Sequence, residues 1–87
     1  MYPIFINKQM KQTNRWQIDC THSPETIDRI LLSIRKRGLS VNSLTYNKKD
    51  ESNAVCTIEF EIDDTEIERV YKNMIRIYDI QSVTKLS

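Results

Sequence analysis

The chain has 87 residues and a hydrophobic fraction of 39%, which makes one small domain with a modest core. A chain this short cannot hold both a large cofactor pocket and its own complete core, so a self-contained complex enzyme is disfavoured. Thirteen basic against twelve acidic residues leave a net charge of +1, which gives no electrostatic footprint for duplex nucleic acid or an anionic membrane. Two cysteines do not make a disulfide framework, and no run of about 18 apolar residues spans a membrane.

The opening cluster Tyr2-Pro3-Ile4-Phe5-Ile6 is apolar but short, with no basic residue before it and no small-residue cleavage site after it. A polar stretch follows, so residues 1–13 read as an N-terminal leader, either disordered or docked on the domain or a neighbour. The expectation is a soluble, cytoplasmic protein whose domain occupies residues 14–87.

Residues 15–21 alternate, with Trp16, Ile18 and Cys20 on one face and Arg15, Gln17 and Asp19 on the other, as in a half-buried strand. Ser23-Pro24-Glu25 reads as a helix start: the serine caps an early amide, Pro24 takes the first helical position, and Glu25 faces the positive dipole end. Ile27, Ile30, Leu31 and Ile34 then recur at helical spacing. Arg35, Lys36 and Arg37 gather at the far end, and Gly38, the single glycine, supplies a left-handed cap.

Residues 39–46 read as a second strand with apolar side chains on both faces, Val41 on one and Leu44 and Tyr46 on the other. The polar run 47–53 turns the chain into a third strand over 54–62, where Ala54, Cys56, Ile58, Phe60 and Ile62 alternate with Val55, Thr57, Glu59 and Glu61. Asp63-Asp64 caps a second helix whose stripe is Ile67, Val70, Tyr71, Met74 and Tyr78. Residues 80–86 form a short last strand.

The order β-α-β-β-α-β is the α+β, ferredoxin-like arrangement: a four-stranded antiparallel sheet with two helices on one face. The third strand fills the gap left by a right-handed crossover between the first two. The second strand then lies at an edge, and apolar side chains on both its faces invite pairing with a second copy through Val41, Leu44 and Tyr46. A bulge that turns Leu44 inward is the competing reading.

The fold hosts many functions, so side chains must decide. An RNA-recognition sheet needs aromatic rings on its central strands, and here the open face offers none and carries two glutamates. Cys20 and Cys56 face inward on neighbouring strands and read as buried thiols, ahead of a disulfide or a metal pair. His22 is the single histidine; a catalytic role needs a nucleophile or carboxylate beside it, and Asp19 and Ser23 are equally well explained as a surface residue and a cap. One glycine excludes a glycine-rich phosphate loop, and no zinc-ligand spacing exists. The basic triplet at residues 35–37 suits helix-end electrostatics better than an anion patch. Catalytic residues, metal and cofactor are therefore expected to be absent.

The run Arg37-Gly38-Leu39-Ser40-Val41-Asn42-Ser43-Leu44-Thr45 resembles the segment after the first helix in small regulatory subunits of acetolactate (acetohydroxyacid) synthase. The helix start Pro24-Glu25-Thr26-Ile27-Asp28-Arg29-Ile30-Leu31 is similar to the short, single-domain form, and Ile75-Arg76-Ile77-Tyr78-Asp79-Ile80-Gln81-Ser82-Val83 to the family's close. The likeness covers residues 14–86. It implies an ACT domain and a non-catalytic activating subunit in branched-chain amino-acid biosynthesis. The catalytic large subunit would be its partner, carrying thiamine diphosphate, magnesium and FAD.

The resemblance also places an effector site at His22, Ser23, Pro24, Glu25 and Thr26, completed across a dimer interface by Asn42 and Ser43. Valine-responsive members have asparagine and glycine where this chain has His22 and Glu25. Glycine lets a carboxylate approach helix-start amides, whereas glutamate adds bulk and like charge. The expectation is a valine-insensitive subunit. The alternative is a free-standing ACT-type amino-acid sensor that controls another enzyme.

Overall fold

The computed structural model describes residues 11–86, so the cluster Tyr2–Ile6 and most of the expected leader lie outside the described residues. Four strands and two helices follow in the expected order: β1 (Lys11–Thr21), α1 (Thr26–Arg35), β2 (Ser40–Lys48), β3 (Asn53–Asp63), a 3-10 turn (Asp64–Glu66), α2 (Ile67–Ile75) and β4 (Ile80–Lys85). The sheet is antiparallel throughout its pairings, in the order β2-β3-β1-β4. Both helices pack on one face, where Ile30 and Ile34 of α1 and Val70 and Met74 of α2 close over Trp16, Ile18, Cys20 and the inward residues of β3. No helix among the described residues is long and apolar enough to cross a membrane.

Strict alternation makes β3 the centre of the core. Ala54, Cys56, Ile58, Phe60 and Ile62 are all buried, each flanked by half-buried neighbours on the open face. Trp16 meets Phe60 edge-on at 4.9 Å between ring centroids, a geometry that adds about 0.5–1.5 kcal/mol to the area it buries. Strand β1 begins at Lys11, ahead of the alternation that starts at Arg15, because its pairing with β3 continues through polar positions to Lys11↔Asp63. Backbone hydrogen bonds, and not side-chain pattern, extend it.

The two-faced reading of the edge strand is overturned. The register of β2 on β3 shifts between Val41 and Ser43, leaving Asn42 as the extra residue of a bulge. Val41 therefore lies opposite Phe60, Leu44 opposite Ile58 and Tyr46 opposite Cys56, and all three pack on the helix-side core. The edge presents polar residues outward.

Two helix boundaries also differ. Helix α1 starts at Thr26, two residues after the expected start at Pro24, and Ser23 makes no side-chain cap to a helix amide. Helix α2 ends at Ile75, and the amides of Arg76 and Ile77 bond three residues back, to Asn73 and Met74. That tightened turn swings Tyr78 off the apolar stripe, where it is 93% exposed. The Asp63 carboxylate does cap the second helical segment, accepting from the Thr65 amide at 3.1 Å.

Gly38 closes α1 with φ +75, and a β-carbon there would meet no atom within 4 Å. Strain at a left-handed residue is then the whole cost of substitution. Gly38→Ala should lower stability by about 1 kcal/mol, and the melting temperature by about 4–8 °C, with Gly38→Asn costing less. Urea and thermal unfolding of the three proteins check this, and an unchanged alanine variant would refute it.

Candidate functional site

The segment from Thr21 to Thr26 joins β1 to α1, and it is closed by its own groups. The Thr21 amide donates to the Asp79 carbonyl at 2.8 Å, and the His22 amide to the Ser52 carbonyl at 2.8 Å. The Ser23 amide donates to Thr26 Oγ1 at 3.0 Å, while the Thr26 amide returns to the Ser23 carbonyl at 3.2 Å. Pro24 has no amide proton. Four of the five amides from Thr21 to Thr26 thus donate within the chain; the Glu25 amide, at the helix start, makes no such bond.

Thr26 is the hub of this loop. Its buried hydroxyl lies 2.9 Å from Ser23 Oγ, 3.0 Å from the Thr21 carbonyl and 3.1 Å from Asp79 Oδ2. The Asp79 side chain is 3% exposed and pairs with Arg29 at 2.6 Å, the arginine side chain being 44% exposed. One carboxylate thus ties the turn before β4 to the first two turns of α1. Sequence reasoning missed this role. Its signal was an acid inside the apolar step from Ile77 to Ile80, noticed only as part of the family likeness.

Glu25 stands exposed at the helix start, its carboxylate accepting from the Ser23 hydroxyl at 3.3 Å. His22 Nδ1 lies 2.8 Å from the Tyr46 hydroxyl, so the inward-turned edge strand reaches the loop across the core side of the sheet. Burial pushes the Tyr46 phenol up from its ordinary value, with Cys20 adding to the effect and the Thr26 hydroxyl opposing it. The two residues weighed as partners for His22 are engaged elsewhere. Asp19 accepts from Ser82 at 3.0 Å, and Ser23 bonds Thr26 and Glu25.

Residues 22–26 share one loop because they are consecutive in the chain, and Asn42 and Ser43 are not brought to them. Asn42 is the exposed bulge residue, and Ser43 donates to Glu59 at 3.3 Å. Glu59 pairs with Arg15, six rungs along β1 from Thr21, a separation of about 20 Å. Within one chain the two halves of the site do not meet. At the loop end of the open face, a recess of about 520 Å³ is lined by Asp19, Lys49, Asp50, Asn53, Gln81 and Ser82. Hydrogen bonds among these groups occupy much of their capacity; Asp50 accepts from the amides of Ser52 and Asn53, which hold its carboxyl below the usual range.

Cys20 and Cys56 are free and buried. Desolvation raises both thiols, Cys56 to about 12, with the neighbouring Cys20 adding to its shift. Neither is a nucleophile near neutral pH.

No protein-family model matches the sequence, and no curated protein does. Solved structures do. The ACT domain from GTP pyrophosphokinase of Chlorobium tepidum superposes with a TM-score of 0.75 at 14% identity, over 87% of this chain and 99% of that one. The acetolactate synthase small subunit from Thermotoga maritima gives 0.73 at 17% identity, over 85% of this chain but 47% of that subunit, so this chain spans about half its length. The C-terminal domain of the MgtC protein from Mycobacterium tuberculosis gives 0.67 at 14%.

Asp79→Ala removes the acceptor for Arg29 and Thr26 and should cost about 2–3 kcal/mol in urea unfolding at neutral pH; a loss under about 0.5 kcal/mol would deny it the clamping role. The thiols give a pH dependence. Their pKa values are higher folded than unfolded, so the folded state retains protons that the unfolded state releases. Stability should be unaffected below about pH 9 and fall as pH rises from there toward about 12, and Cys20→Ala/Cys56→Ala should flatten that decline. At these identities the superpositions establish the architecture: the chain has the βαββαβ fold of ACT domains.

Proposed function

We propose that the chain is a non-catalytic, activating small subunit of acetolactate synthase whose activity valine does not control. The observation that carries the valine-insensitive part is the closed loop at residues 21–26. Its amides at Thr21, His22, Ser23 and Thr26 are bonded internally, and Glu25 sets a carboxylate where an incoming carboxylate would have to approach. The synthase assignment is supported by the sequence resemblance over residues 14–86 and by the superposition on the Thermotoga maritima subunit. A homodimer belongs to the proposal on one ground. Two copies side by side would be needed to join residues 22–26 of one to Asn42 and Ser43 of the other, since the apolar-edge rationale is gone.

The second reading, a free-standing amino-acid sensor, is favoured by the near-complete cover of the Chlorobium tepidum ACT domain, itself part of a different enzyme. One experiment separates them. Acetolactate formation from pyruvate is followed with a synthase large subunit from the same source, with and without this protein. Several-fold activation unaffected by valine is expected, together with no saturable heat when valine is titrated calorimetrically at millimolar concentration. Activation abolished by valine would keep the partner and refute the role given to Glu25. No activation and no co-elution would favour the sensor.

A further inference from the structure

We draw no further inference here: the strongest candidate, the exposed Leu32 on the outward face of α1, has Asp28 one turn before it and Arg35 and Lys36 one turn after it, so charge selects no occupant and nothing in the structure shows what covers it.

Discussion

A buried carboxylate organises one end of this molecule. Asp79 lies in the turn between α2 and β4, yet its side chain serves α1, through Arg29 and Thr26, and its carbonyl receives the last amide of β1. Charge in that position is costly unless it is paired and hydrogen-bonded, and here it is both. The consequence reaches the loop. With the Thr26 hydroxyl drawn toward Asp79, its other contacts gather Ser23 by amide and hydroxyl together, and α1 starts at Thr26. Helix α2 ends at Ile75, and the turn from there to β4 carries Asp79 buried beside the exposed Tyr78.

These relations explain what could be read from the sequence. Alternation in β1 and β3 is a property of single strands with one wet face, and both strands carry it openly, so their inward residues were legible. So were the apolar stripes of both helices and the need for Gly38 in a left-handed turn. The phase change between Val41 and Leu44 was legible too, but not its meaning. A two-faced edge and a bulge produce the same sequence, and what separates them is the row Phe60, Ile58 and Cys56 opposite, which demands apolar partners on one side only. The loop residues of the site were found together, yet their closure was hidden. The bonds that close them join Thr26 to Asp79 and His22 to Tyr46, 53 and 24 residues apart, and local pattern does not encode such pairs.

A ligand can shift a protein between states only by its difference in affinity for them. On the sensor reading, an amino acid that used the Ser23 and Thr26 amides would have to displace internal bonds first: Ser23 amide to Thr26, Thr26 amide to Ser23, and with them the hydroxyl held by Asp79. Losing two such bonds at about 1 kcal/mol each weakens binding by about thirtyfold before the repulsion from Glu25 is added. A small zwitterion has few atoms with which to recover that loss. A constitutive activator faces no such demand, since its task is to present an unchanging surface, and a loop locked by its own side chains serves rigidity.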